Sequence, residues 1–136
     1  MTVGTGPVPV TELDLRRLSS PALKAFCRIA SLWQLGSDDQ RAMLGGVEPS
    51  VFAQWCREPE LVLPREILER ISYILAIYKA LQVLLPEDAA ADEWVSKPND
   101  ALPFNGKRAL DHMLSGRVAD LLIVRQYLEA AGGVAA

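Results

Sequence analysis

The sequence is poor in the residues from which catalytic and metal sites are usually built. Its 136 residues include one histidine, His112, and two cysteines, Cys27 and Cys56. A structural zinc site takes four Cys, His or carboxylate ligands at set spacings, and these three scattered residues do not predict one. No serine or cysteine motif accompanies His112, so its imidazole has no nucleophile to activate. We therefore expect neither catalysis nor a cofactor.

The sequence also lacks a surplus of positive charge and any segment long enough to cross a membrane. Its net charge is −3, without the basic excess that is typical of an avid nucleic-acid binder. The most apolar run, residues 71–85, contains Lys79 and is shorter than the roughly 20 residues that a membrane helix needs. The first residues do not resemble an export signal. These absences favour a cytoplasmic protein with reduced cysteines and no membrane contact.

Helix-favouring residues dominate the rest of the chain, and no useful length alternates β-branched with polar residues. The sequence therefore predicts an all-α fold. Residues 1–18, which contain several Gly, Pro and Thr residues, are expected to form a flexible N-terminal arm. A first helix is expected to begin at Ser19 or Ser20, with Pro21 in its first turn, where a missing N–H costs nothing. The positions it is expected to bury are Leu23, Phe26, Cys27, Ala30 and either Leu32 or Trp33.

Residues 37–58 contain two short helical patterns joined by a glycine-rich turn. Ser37 is expected to cap the first helix, and Gly45 and Gly46 to end it. Pro49 suits the first turn of the second helix. Such a pair is typical of the helix-turn-helix motif, whose second helix lies in the DNA major groove. The same pattern also occurs in helical domains that bind no DNA, so spacing alone leaves DNA binding open.

The second helix of this pair would present few groups to DNA. With Phe52 and Trp55 turned inward, its outward face carries three polar side chains, namely Ser50, Gln54 and Arg57. The Gln54 amide is able to make a bidentate contact to adenine. We expect these three residues to contact operator DNA, with a dimer or a partner adding the contacts that one copy lacks.

A long apolar helix is expected over residues 64–85. Its hydrophobic positions are Ile67, Leu68, Ile71, Ile74, Leu75, Ile77, Tyr78, Leu81, Val83, Leu84 and Leu85. This stripe is wider than a one-sided surface helix needs, so either the C-terminal segment or a second copy must cover it. Because a two-fold dimer is the commonest symmetric arrangement, we expect a homodimer built on this helix.

The amino-acid composition of the chain changes after the long helix. Residues 86–107 combine acidic residues, prolines and two isolated aromatic residues, Trp94 and Phe104. This composition predicts an irregular connector that the two aromatic rings hold in place. Two further helical patterns close the chain, with Gly116 between them.

Residues 94–133 have the sequence WVSKPNDALPFNGKRALDHMLSGRVADLLIVRQYLEAAGG, which resembles the toxin-binding domain of the Xre/MbcA/ParS antitoxins. The matching positions are Trp94, Pro98, Asn99, Phe104, Gly106, Ala109, Leu110, Met113, Gly116, Leu121, Val124, Arg125, Tyr127, Leu128 and the closing glycines. The earlier stretch LGGVEPSVFAQW is similar to the Xre-type helix-turn-helix of the same family. The resemblance therefore covers nearly all of the chain after residue 19.

The resemblance implies the antitoxin of a type II toxin–antitoxin pair. Partners of the family include RES-domain toxins, which consume NAD, and ADP-ribosylating toxins. The antitoxin's C-terminal domain is expected to occlude the toxin's active site, and these antitoxins dimerise and repress their own operon. Carried over by position, the toxin-binding residues would be Trp94, Asn99, Phe104 (as an anchor), Asn105, Lys107, Arg108, Arg117 and Arg125. The cations among them lie between apolar residues, which suits an interface that closes a pocket.

These patterns divide the chain into three expected units. Residues 1–18 are the arm, 19–85 an Xre-like helix-turn-helix and dimerisation domain, and 86–136 a small helical toxin-binding domain. The expected partners are a cognate toxin and operator DNA. The alternative is a dimeric helix-turn-helix transcription regulator whose C-terminal half binds a small ligand. A NAD-consuming toxin encoded next to this gene would favour the antitoxin over the regulator.

Overall fold

Helices form the regular secondary structure of the computed structural model, which describes residues 11–132 apart from the side chain of Glu12. One isolated β-bridge joins Pro98 to Arg108. The helices of this range are α1 (Glu12–Leu32), α2 (Ser37–Met43), α3 (Pro49–Arg57), α4 (Arg65–Leu84), α5 (Asp88–Trp94), α6 (Ala109–Met113) and α7 (Val118–Ala131). The predicted all-α fold is confirmed. None of these helices is both long enough and apolar enough to span a membrane.

Helix α1 begins at Glu12, so the prediction that it starts at Ser19 or Ser20 is wrong. Its N-cap is Thr11, whose hydroxyl accepts a hydrogen bond from the Asp14 N–H at 3.1 Å. The Asp14 carboxylate in turn accepts one from the Thr11 N–H at 3.1 Å. This reciprocal pair is a capping box, which satisfies two backbone donors at the exposed helix end. The hydrogen bond from the Thr11 N–H also lowers the pKa of Asp14.

Ser19 joins two elements instead of capping one. It is fully buried, and its hydroxyl donates to the Leu15 carbonyl and accepts from the Leu63 N–H at 2.7 Å. The segment before α4 is thereby tied to α1. Of the predicted flexible arm, residues 12–18 are helical, whereas residues 1–10 lie outside the described part of the chain.

The buried side of α1 agrees with the expected spacing. Leu23, Phe26, Ala30 and Trp33 are buried, whereas Cys27 is half-buried and Leu32 is exposed. Pro21 lies inside the helix and not in its first turn, because α1 begins closer to the N-terminus than expected. The two cysteines are free thiols, and burial raises the pKa of Cys27.

The connection between α2 and α3 is a glycine turn, as expected. Gly45 and Gly46 have φ angles of 100° and 91°, in the left-handed region that glycine adopts without steric cost. The Gly46 N–H donates to the Arg41 carbonyl at 2.8 Å, and the Arg41 guanidinium donates to the Val47 carbonyl at 3.1 Å. Pro49 is the first residue of α3, as predicted. The chain therefore leaves α2 along a path that several hydrogen bonds define.

The start of α2 differs from the expectation by one residue. Gly36, not Ser37, is its N-cap, so no side chain caps the helix there. The Gln40 side chain, three residues after Ser37, donates to the Leu35 carbonyl at 3.0 Å.

Helix α4 is the element on which the rest of the fold packs. Helices α1 and α7 make the most extensive contacts with it, and α5 also packs against it. Ile71, Ile74 and Ile77 are fully buried in these contacts. Helices α1, α5 and α7 thus cover most of the wide apolar face and leave Val83 exposed, so the width of that face is not evidence for a second copy.

The buried side chains form one connected core that extends from α1 to α7. Because α7 lies on α4, the chain does not divide after residue 85 into two separately packed cores. The boundary at residue 85 therefore stays a proposal about function, in which residues 19–85 and 86–136 bind different partners.

The connector of residues 86–107 contains a helix that the sequence analysis did not predict. Helix α5 begins within the acidic run and turns Ala91 into the core. Beyond α5 the path is irregular until α6, as expected, and α6 and α7 match the two predicted C-terminal helices. The turn between α6 and α7 lies beside α2. A Cβ atom at Gly116, in this turn, would be 4.0 Å from the carbonyl oxygen of Ala42, which is in α2.

Candidate functional site

An aromatic cluster supports the irregular segment between α5 and α6. Phe104 is at its centre, with its ring centroid 5.9 Å from Trp94, 5.0 Å from Tyr127 and 5.3 Å from His112. Each of these three contacts is edge-to-face, and Trp94 stacks on Tyr127 at 6.1 Å. Aromatic pairs of this kind are worth about 0.5–1.5 kcal/mol each beyond their buried area. The rings of Trp94 and Phe104 therefore hold the connector in place, as the composition predicts.

Backbone hydrogen bonds close the loop of residues 98–108, here called the 98–108 loop. The Asn99 N–H donates to the Lys107 carbonyl at 3.0 Å, and the Asn99 carbonyl accepts from the Gly106 N–H at 2.7 Å. The Asn99 side-chain oxygen accepts from the Ala101 N–H at 2.9 Å. The N–H, the carbonyl and the side-chain oxygen of Asn99 are therefore all hydrogen-bonded within the loop. Asn99 stabilises the shape of the loop and does not offer these groups to a partner.

The tip of the 98–108 loop is a tight turn. The Ala101 carbonyl accepts from the N–H groups of Phe104 at 2.8 Å and Asn105 at 3.2 Å. Asn105 and Gly106 have φ angles of 54° and 89°, which return the chain toward α6. The turn exposes the side chains of Leu102 and Asn105 while it buries Phe104. Phe104 is thus buried and supports the surface from inside, and its role as an anchor for the toxin stays a prediction.

The predicted cations differ in how firmly the protein holds them. The ion pairs are Arg108 with Asp111 at 2.7 Å, Arg117 with Asp120 at 3.0 Å and Arg125 with Glu129 at 3.1 Å. The Arg125 guanidinium also lies 5.9 Å from the centroid of the Tyr73 ring. Lys107 is exposed and forms no ion pair with the residues that the structure describes. Of the four, Lys107 is therefore the cation whose charge is least compensated.

Arg108 and Asp111 fix the start of α6. Both Nε and Nη2 of Arg108 donate to one carboxylate oxygen of Asp111, at 3.2 Å and 2.7 Å. The other carboxylate oxygen accepts from the Arg108 N–H at 3.0 Å. The Arg108 side chain lowers the pKa of Asp111, and the same bonds raise the pKa of Arg108. Arg108 is therefore largely engaged within its own helix start.

Asp120 holds Arg117 at the start of α7. Its buried carboxylate accepts from the Ser115 hydroxyl at 2.6 Å and from Arg117 Nε at 3.1 Å. The hydrogen bond from Ser115, followed by that from Arg117, lowers the pKa of Asp120 against the opposing effect of burial. The Arg117 side chain remains 77 % exposed. The carboxylate therefore orients a cation that still faces solvent.

The change Asp120→Asn tests this network through its pH dependence. We expect the variant to lose about 1–3 kcal/mol of unfolding free energy at neutral pH, because Ser115 and Arg117 lose the charged acceptor of their hydrogen bonds. Since the folded protein lowers the pKa of Asp120, its contribution is present above the unfolded pKa and is lost as the pH falls through the folded pKa. Urea unfolding between about pH 7 and about pH 2.5 should therefore show the difference from wild type shrinking with acid.

The exposed carboxylate of Asp100 provides the matched control for that experiment. The change Asp100→Asn, in the same half of the chain, is expected to alter the unfolding free energy by under about 0.5 kcal/mol. A loss at Asp120 that stays constant across the pH range would contradict the charged network and indicate packing alone.

The residues predicted to contact DNA share the outer face of α3. Ser50, Gln54 and Arg57 are exposed, and their spacing places them on one side of the helix. Phe52 is buried on the other side, with Trp55 half-buried. Residues 37–60 carry five Asp/Glu and two Arg, so this face has little general attraction for phosphates.

Two sets of predicted residues thus lie on different elements of one body. Ser50, Gln54 and Arg57 are on α3, and the predicted toxin-binding residues lie between the end of α5 and α7. Within the second set, Asn105, Lys107 and Arg117 are exposed, whereas Trp94, Asn99, Phe104 and Arg108 mainly build the scaffold, and Arg125 is half-buried on α7. Leu102 is also exposed on this surface, although the sequence analysis did not name it as a site residue. Nothing in the sequence indicates that Leu102 is exposed whereas the leucines nearby are buried.

Comparison with known proteins places this surface within a described domain. The family model for the antitoxin Xre/MbcA/ParS C-terminal toxin-binding domain matches residues 80–133. A curated relative from Sinorhizobium fredii, described as uncharacterized protein y4oB, is 47% identical over 111 residues. That alignment covers 82% of this chain and 84% of the relative. The family match begins inside α4 and includes the aromatic cluster and the 98–108 loop.

Proposed function

The chain belongs to the family of Xre/MbcA/ParS antitoxins, and from this membership we propose that it neutralises a cognate toxin by covering the toxin's active site. The covering unit is the C-terminal domain, residues 86–136. The observation that carries the proposal is the family match over residues 80–133, which coincides with a rigid loop and outward cations. Membership of this family favours a regulator that acts by binding and not by catalysis.

The surface has the properties that occlusion of a pocket requires. Its backbone is already ordered, because the 98–108 loop is closed by hydrogen bonds and backed by Phe104. A preformed loop loses little conformational entropy on binding. Lys107 and Arg117 are exposed and suited to pair with carboxylates at the rim of a partner's cleft. We propose that the partner is a NAD-consuming RES-type toxin or an ADP-ribosylating toxin, as in the family.

We further propose that α2 and α3 act as a helix-turn-helix that binds operator DNA and represses the chain's own operon. Ser50, Gln54 and Arg57 would face the major groove. Because most of the charged residues around this face are acidic, one copy supplies little attraction for phosphates, so we propose a homodimer that sets two copies of α3 about one DNA turn apart. The small number of cations around α3 supports a homodimer independently of the width of α4.

Co-expression with the adjacent reading frame tests the antitoxin function. We expect the adjacent gene alone to arrest growth, and co-expression of this chain to restore growth because the toxin's active site is covered. An ADP-ribosylated target separates the two toxin classes, because both enzymes consume NAD but only the ADP-ribosylating enzyme leaves ADP-ribose attached to its target. An adjacent product that is harmless, or whose toxicity this chain leaves unchanged, would overturn the proposal.

A further inference from the structure

One apolar side chain projects from the 98–108 loop. Leu102 is 75 % exposed, more than any other exposed large hydrophobic side chain in the described range. A single exposed leucine is ordinary on a protein surface and indicates nothing by itself. Whether Leu102 indicates a binding surface depends on how rigidly its backbone is held and on which side chains surround it.

The backbone on either side of Leu102 is fixed. Before it, the N–H of Ala101 donates to the Asn99 side chain, and the carbonyl of Ala101 accepts two hydrogen bonds from beyond the turn. After Leu102, the chain continues through Pro103, whose ring restricts φ, to buried Phe104. The loop therefore presents Leu102 on a rigid frame, although burying this side chain inside the loop would have removed apolar surface from water.

The surroundings of Leu102 resemble an interface centre with a polar rim. Asn105 and Lys107 are exposed on the same loop, and Lys107 lacks an ion pair within residues 11–132. Binding surfaces commonly place an apolar side chain at the centre and hydrogen-bonding or charged groups around it. The whole loop lies inside the region that matches the toxin-binding domain.

We propose that Leu102 is a contact residue for the toxin and enters an apolar depression beside the toxin's active-site cleft, with Asn105 and Lys107 at the rim. This inference rests on the proposed function, because the occupant of the surface is the same toxin. It adds a residue that the family resemblance did not indicate. It also assigns the central contact to an exposed side chain and leaves Phe104 as its support.

Purified variants distinguish this role from general stabilisation. The changes Leu102→Ala and Leu102→Asp are compared with Val62→Ala and Val62→Asp, because Val62 is 47 % exposed and lies outside residues 80–133. Affinity for the toxin encoded by the adjacent gene is measured by calorimetry with full-length chains. We expect Leu102→Ala to weaken binding about tenfold and Leu102→Asp about a hundredfold or more, with both Val62 variants close to wild type. Urea midpoints should stay close to wild type for all four variants, since both side chains are exposed.

Each outcome of this experiment bears on the inference. If wild type binds the toxin and Leu102→Asp binds equally well, the role of Leu102 is overturned while the antitoxin function stands. If wild type itself does not bind, both proposals are overturned. If Leu102→Asp changes the oligomeric state in light scattering without changing toxin affinity, Leu102 contacts a second copy, and the inference is also overturned.

Discussion

Replacement of Phe104 by alanine is expected to lower the free energy of unfolding by about 3–5 kcal/mol, a large fraction of the stability of a small protein. Phe104 is fully buried and contacts Trp94, Tyr127 and His112. Its removal leaves a cavity at the junction of three segments and removes three edge-to-face contacts. Urea unfolding followed by tryptophan fluorescence measures the loss, and Trp94 reports on the cluster directly.

The conservative change Phe104→Leu is the matched control. Leucine retains most of the apolar volume but none of the ring contacts, so we expect a loss of about 1–2 kcal/mol. A loss below about 1 kcal/mol for Phe104→Ala would mean that the cluster is not a centre of stability. Because Phe104 supports the 98–108 loop, the alanine variant should also lose toxin binding, in contrast to Leu102 variants, which should remain stable.

A second large effect is expected from reversing charge on each of the two proposed binding faces. We expect Lys107→Glu to weaken toxin binding by about tenfold or more, because the substituted carboxylate would repel the acidic rim that the lysine is proposed to meet. We expect Arg57→Glu to weaken binding to the operon's own promoter DNA by a similar factor, because one phosphate contact becomes repulsive. Calorimetry with the toxin and gel-shift titration with promoter DNA measure the two affinities separately.

Each of these variants is the control for the other. Lys107 and Arg57 are both exposed, and neither forms an ion pair with a described residue, so reversing either charge should leave the fold unchanged. Lys107→Glu should retain the DNA affinity of the free chain, and Arg57→Glu should still restore growth to toxin-producing cells. Loss of both activities in either variant would contradict the assignment of toxin and DNA to different faces.

Local and periodic signals predicted much of the fold. The density of apolar residues between Pro64 and Pro86 was sufficient to predict α4, and the Gly45–Gly46 pair was sufficient to predict the turn between α2 and α3. The start of α1 was also present in the sequence, because Thr11 and Asp14 have the spacing of a capping box. Pro21 misled the prediction, since proline favours a first turn but lies here inside the helix, on its exposed face.

Signals between distant residues were beyond the sequence analysis. Nothing local indicates that the Ser19 hydroxyl bonds to the Leu63 N–H, or that α7 covers the second side of α4. Both facts depend on how the helices pack. For this reason the sequence favoured a second copy as the cover of the long helix, where the structure has the C-terminal segment packed on it.

The candidate site shows a different limit. A family resemblance identifies positions that the domain needs, but it does not separate those that build the surface from those that a partner contacts. Asn99 closes a loop, and Phe104 fills the interior, although both are prominent in the family pattern. The exposure of Leu102 becomes visible only when the turn at Ala101 is known.

Helix α4 also has a consequence for the turnover of the protein. Because α1 and α7 are both packed on α4, loss of either one exposes an apolar face of the helix on which the other depends. A protease that opens one end would therefore unfold the whole chain and leave no surviving half. If the two roles proposed for this protein hold, degradation would release the toxin and derepress the promoter in the same event.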